Sequence, residues 1–63
     1  MYINQIRLWK NTGECFVITK MNHMVAYPYC TIRYLKDSKI DTVFLKRIDE
    51  DSILAEEYSK NCS

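Results

Sequence analysis

The sequence predicts a small, mainly β domain: four or five short antiparallel strands, bent enough to close or nearly close on themselves, with one short helix near the C-terminus. Three observations carry that reading. Segments of alternating apolar and polar residues run from about residue 4 to residue 48, and each is followed by turn-forming residues. After position 48 the pattern changes to a cap residue, an acidic first turn and a narrow apolar stripe, as at the start of a helix.

Ile6-Arg7-Leu8-Trp9-Lys10 alternates as a half-buried strand does, and Asn11-Thr12-Gly13 supplies a turn in which Gly13 can take a positive φ. The returning segment, Glu14 to Met21, is rich in β-branched and aromatic residues and is apolar on both faces at its centre. Phe16 and Val17 therefore call for cover on opposite sides. A strongly bent barrel, a covering helix or a subunit interface would provide it, and the last makes a homodimer an expectation. Asn22-His23 reads as a second tight turn into a third strand from Met24 to Tyr29, interrupted by Pro28, which has no N–H to give a ladder. On this strand Val25 and Tyr27 are expected inside and Tyr29, beside the break, outside. Cys30 to Leu35 alternates again, and Lys36-Asp37-Ser38-Lys39 turns the chain into a last strand, Ile40 to Phe44.

The final element is expected from about Glu50 to Tyr58. Asp49 serves as N-cap, Glu50 and Asp51 occupy the first turn, and Ile48 and Ile53 form a staple across it. Ile53, Leu54 and Tyr58 make a stripe wide enough to dock on a sheet but too narrow to stand alone. Residues 59–63 read as a loose tail.

A meander of short, tightly connected strands in so few residues favours closure, because closure protects strand edges that would otherwise pair with other chains. An SH3-like barrel is the first expectation, and an open sheet with the helix on one face the second. The run Trp9-Lys10-Asn11-Thr12-Gly13-Glu14-Cys15-Phe16-Val17-Ile18, followed by Val25-Ala26-Tyr27 and Phe44-Leu45-Lys46-Arg47-Ile48, resembles the short SH3-like accessory proteins of Gram-positive phages and prophages. The resemblance spans about residues 5 to 54. It implies a phage or mobile-element protein that binds and inhibits or modulates a host protein, such as a defence or nucleic-acid enzyme, and it brings no catalytic residues.

Length and composition bound what the chain can do. With 63 residues, 48% of them apolar, it is a single domain that buries only about 60% of its unfolded surface, so few groups can be spared for costly placements. The longest uncharged run, Met21 to Ile32, is interrupted by Asn22, His23, Pro28 and Thr31 and is too short and polar to span a bilayer. The N-terminal Met1-Tyr2-Ile3-Asn4-Gln5 lacks a signal-peptide layout, and a cytoplasmic location is expected. Cys15, Cys30 and Cys62 match no zinc spacing, so free thiols and no metal are expected, the first two as apolar fillers.

Chemistry finds little purchase here. The one histidine, His23, sits in a predicted turn, and nothing in the spacing brings it to Cys15 or Cys30 as a nucleophile and base would require. Asp49-Glu50-Asp51 lacks the ligand alternation of a calcium loop, and the single glycine excludes a glycine-rich phosphate cradle. No catalytic residues and no cofactor are expected, and the chain reads as a binding module.

Three surfaces could serve it. A protein contact would use Tyr29, Arg33, Tyr34, Trp9 and Arg7, because Tyr, Trp and Arg dominate interface hot spots. A nucleic-acid contact would use the cations Arg7, Lys10, Lys20, Arg33, Lys36, Lys39, Lys46 and Arg47, interleaved with Trp9, Tyr27, Tyr29 and Tyr34. Charge is split along the chain: residues 1–48 hold eight basic and three acidic side chains, residues 49–63 one and five. The acidic end, Asp49, Glu50, Asp51, Glu56 and Glu57, offers a third surface that could imitate nucleic-acid phosphates or simply be a solvated face. A host protein is the first expected partner and nucleic acid the alternative.

Overall fold

The computed structural model describes residues 1–57; Tyr58, the expected tail and Cys62 lie outside them. Strands β1 (Ile6–Trp9), β2 (Cys15–Asn22), β3 (Tyr29–Tyr34) and β4 (Ile40–Phe44) form a meander. Helix α1 (Leu45–Asp51) and strand β5 (Ser52–Leu54) follow. All neighbours are antiparallel in the order β4-β3-β2-β1-β5. The mainly β class with a short helix is thus what the chain adopts. No pairing joins β4 to β5, so the sheet is open rather than closed into a barrel.

Register explains the core. Phe16 lies between Arg7 and Tyr34, Ile18 faces Ile32, and Met21 faces Cys30. Ile18 and Met21 are an odd number of residues apart and on a regular strand would point to opposite sides. A bulge between Ile18 and Lys20 restores the phase, and the Thr19 hydroxyl donates to the Thr31 carbonyl at 3.0 Å. Trp9, Phe16, Ile18, Cys30, Ile32 and Ile48 form one buried cluster, with Met21, Tyr34, Val43 and Leu45 packed against it. Ile48 is the residue through which α1 covers this face.

The turn between β1 and β2 needs its glycine: Gly13 has φ 77° and donates its N–H to the Trp9 carbonyl at 2.8 Å. Between β3 and β4, Ser38 takes φ 62°, held by its N–H on the Tyr34 carbonyl at 2.9 Å.

Two expectations are corrected. The segment from Met24 to Pro28 is a loop, and β3 begins only at Tyr29. Val25 and Tyr27 are consequently exposed and Tyr29 is half-buried, the reverse of the sequence expectation. Pro28 has no N–H for the ladder, while its carbonyl accepts from Leu45 N at 2.9 Å, so pairing starts at the proline.

The helix is the second correction. It starts at Leu45, so Asp49 is not its N-cap; Ile48 is its buried centre and Ile53 lies in β5, which leaves no staple. Phe44 precedes it without a side-chain cap, and Lys46 and Arg47 sit in the first turn while Asp49, Glu50 and Asp51 end it. That charge order opposes the helix dipole. Tertiary packing of Ile48 and Leu45 overrides the local signal, as it can in a helix of two turns. Residues 55–57 are helical at the limit of the described chain.

Ser52 ends α1 and starts β5, and it is almost wholly buried. Its N–H and hydroxyl both donate to the Ile48 carbonyl. Its own oxygens are taken by Arg7, whose Nε donates to Ser52 Oγ at 2.8 Å and whose terminal nitrogen donates to the Ser52 carbonyl at 3.0 Å. Arg7 therefore clamps β5 to β1. Arg7→Met keeps the stem and removes the donors; a loss of about 1–3 kcal/mol is expected, read as a lower urea midpoint at unchanged slope.

Candidate protein-binding groove

Alternation along β4 decides what reaches the core side. Asp41 and Val43 pair with the buried Ile32 and Cys30 and face inward, whereas Ile40, Thr42 and Phe44 face outward. Trp9 and Tyr34 meet on the core side, where the indole N–H donates to the Tyr34 hydroxyl at 2.9 Å. Phe16 backs both rings, with centroids 4.7 Å from Trp9 and 6.2 Å from Tyr34.

Above these two rings lies an open groove of about 540 Å³. Its floor is Trp9 and Tyr34; its walls are the β1–β2 turn and β4, with Arg47 and Asp51 of α1 at one end. Tyr29 and Phe44 bring the lining round the β4 edge. The Arg47 guanidinium carbon stands 5.8 Å from the Trp9 ring centroid, and its Nε is 3.9 Å from the Asp51 carboxylate.

A second, more apolar depression of about 870 Å³ adjoins the first through Phe44, Arg47 and Asp51. Met21, Tyr27, Pro28 and Leu45 line it, with His23, Lys46, Asp49 and Glu50 around them. Tyr27 and Phe44 stand between water and this hollow as an edge-to-face pair, centroids 6.4 Å apart, 77% and 60% exposed. Large rings left this open cost solvation free energy unless a partner covers them.

Of the residues singled out from sequence, Trp9 and Tyr34 come together at the groove, and Tyr29, on the outward face opposite Phe44, reaches its lining from there. Arg33 does not join them: it pairs with Val17 and Ile40 on the opposite face of the sheet, and is exposed. Arg7 is engaged by Ser52 and by the Gln5 side chain. Of the acidic set, Asp51 reaches the groove, Asp49 and Glu50 border the second depression, and Glu56 and Glu57 are exposed. Phe44, Arg47, Glu14 and Asp41 are not among the residues the sequence puts at a protein contact, and Tyr27, in the aromatic run that suggests one, is expected inside. The signal available for Phe44 was its place as the last outward residue of a strand, where a ring has no partner strand to cover it.

The basic residues do not gather on the rings. Among the described residues, the groove beside Trp9 and Tyr34 holds Glu14, Asp41 and Asp51 against Arg47. Lys10 donates to the Glu50 carbonyl at 3.0 Å, and Lys39 lies 3.9 Å from Asp37 in its own turn.

Cys15 and His23 lie at opposite ends of β2. Cys30 is fully enclosed, and burial pushes its thiol up from the ordinary value, with a small opposing pull from the N-terminal amine. Cys15 opens β2 and His23 follows its last residue, so roughly 20–25 Å of strand separates them. Among the described residues no three histidine, cysteine or carboxylate side chains are placed to share a metal ion, and no helix is long and apolar enough to cross a membrane.

No protein-family model, curated protein or solved structure matches the chain. What fold and groove define on their own is a class: a small, open, five-stranded antiparallel sheet with one packed face, presenting an aromatic groove at its β4 edge.

Proposed function

We propose that this chain is a non-enzymatic, SH3-like protein-binding module whose contact surface is the groove over Trp9 and Tyr34 together with the exposed Tyr27–Phe44 pair. The SH3-like part is supported by connectivity: a four-strand meander, then a short helix, then a last strand that returns to pair with the first. The phage resemblance adds the kind of partner, a host protein such as a defence or nucleic-acid enzyme, which the module inhibits or modulates.

The single observation that carries the binding role is the gathering of Trp9, Tyr29, Tyr34, Phe44 and Tyr27 along two adjoining hollows. Aromatic anchors beside charged groups are the composition of interface hot spots. Carboxylates at Glu14, Asp41 and Asp51 repel phosphates, which sets this surface against a nucleic-acid backbone.

Tyr27→Ser with Phe44→Ser removes both exposed rings without touching the buried cluster. Captured from a bacterial lysate, the partner is expected on the wild-type chain and at least about tenfold depleted on the double variant, at an unchanged melting temperature. The competing outcome is anisotropy that rises with labelled oligonucleotides, falls with salt, and is indifferent to the two substitutions. That result would replace the proposal with a nucleic-acid role.

A further inference from the structure

We infer that the groove over Trp9 and Tyr34 is selective for an arginine-bearing, extended segment of a partner protein. The inference rests on the binding role proposed above and adds the chemistry of what is bound.

Charge in the groove is one-sided. Arg47 and Asp51 answer one another at 3.9 Å, which leaves the Glu14 and Asp41 carboxylates without a cation among the described residues. One oxygen of Asp41 accepts the Thr42 N–H at 2.8 Å, and the other has no partner among the described residues. Both carboxylates line a hollow floored by the indole of Trp9 and the phenol of Tyr34. The faces of such rings carry the negative side of their quadrupole and attract cations. An arginine satisfies floor and wall together, because its planar guanidinium stacks on a ring while its edge donates to a carboxylate; a lysine ammonium is a point charge with no plane to stack.

The groove already holds one instance of this arrangement. Arg47 places its guanidinium over Trp9 with Asp51 at its side, so the pairing of ring, guanidinium and carboxylate is compatible with the local geometry. Phe16 and Arg47 already flank Trp9, which is only 9% exposed, so a second arginine would stack on the half-buried Tyr34 ring beside Glu14 and Asp41.

The β4 edge indicates how the segment lies. The bonds from Tyr34 N to Lys39 O and from Leu45 N to Pro28 O fix the alternation, so Asp41 and Val43 spend their backbone groups on β3 while those of Ile40, Thr42 and Phe44 point to the free edge. The Thr42 N–H is closed off by Asp41. A partner strand laid against β4 would lose that bond, so recognition proceeds through side chains entering the groove and not through an added strand.

Trp9 is the only tryptophan and its N–H donates to the Tyr34 hydroxyl, so its emission reports a change at the groove. The probe is the blocked pentapeptide Ac-Ala-Arg-Ala-Arg-Ala-NH2, with its Gln/Gln and Lys/Lys twins as comparisons, titrated to about 10 mM at low salt. Saturable change is expected with the arginine peptide, about tenfold tighter than with the Gln twin, tighter than with the Lys twin, and weakened by added salt. Glu14→Gln with Asp41→Asn should weaken it roughly fivefold. Glu14→Gln alone, outside every strand, gives a second reading should Asp41→Asn disturb the edge. No saturable change, equal affinity for the Gln twin, or indifference to both variants overturns the inference. If capture still depends on Tyr27 and Phe44 in that event, the binding role stands and only the arginine chemistry falls. Light scattering separates a second copy of this chain, which carries its own exposed Arg33, as the source of the cation.

Discussion

Phe16→Ala is expected to remove about 3–5 kcal/mol of stability. For 63 residues the whole margin is only about 3–9 kcal/mol, so such a loss takes at least about a third of it. Phe16 is 0% exposed at the middle of the sheet, and its ring is shared by Trp9 and Tyr34. Removing it takes away buried apolar area and two aromatic contacts, and leaves a void that neighbouring strands cannot close without breaking register. The consequence reaches the groove, whose floor rings rest on Phe16. Phe16→Leu keeps most of the volume and should cost under about 1.5 kcal/mol. Urea unfolding followed by far-ultraviolet circular dichroism separates the two. A loss below about 1 kcal/mol in the alanine variant would mean that Phe16 is not at the centre of the core.

Why the strands were legible and other features were not follows from where each signal resides. Ile6–Trp9, Cys15–Asn22 and Ile40–Phe44 announce themselves because period-two alternation and the turn residues between them are local. The twice-apolar stretch of β2 was legible too, but only the structure divides it. Phe16 and Ile18 enter the core, while Cys15 and Val17 are half-buried on the other face, beside Ile6 and Leu8. The loop from Met24 to Pro28 misled because its residues have strand composition. Whether they pair depends on Pro28 and on the point where β4 ends, and that is not a local property.

The groove was half visible for the same reason. Trp9, Tyr29 and Tyr34 are recognisable as contact rings by type, but their assembly with Phe44 and Arg47 is made by the β3–β4 pairing and the turn into α1. Interleaving of cations with rings along the sequence pointed to a basic surface. Alternation sends Arg33 to the far face and Asp41 to the near one, so the charge beside the rings is reversed. A two-residue periodicity sorts neighbours in sequence onto opposite surfaces, and counting charges along the chain cannot show that.

Ile48→Ala paired with Asp49→Ala tests the helix placement. Local chemistry from residue 48 onward describes a good N-terminus, with Asp49 as cap; the fold makes Ile48 the plug of the core and Asp49 an exposed residue in the last turn. The two placements predict opposite rankings. With α1 at Leu45–Asp51, Ile48→Ala empties a fully buried site and should cost about 2–5 kcal/mol, while Asp49→Ala should lie within about 0.5 kcal/mol of the parent. A slight gain is favoured at Asp49, since alanine is the better helix former and an acid is removed from the negative end of the dipole. Were Asp49 the cap, its loss would cost about 1 kcal/mol or more. Melting curves on the two variants therefore show whether burial of one isoleucine outweighs a complete set of local capping signals, as a helix with inverted end charges requires.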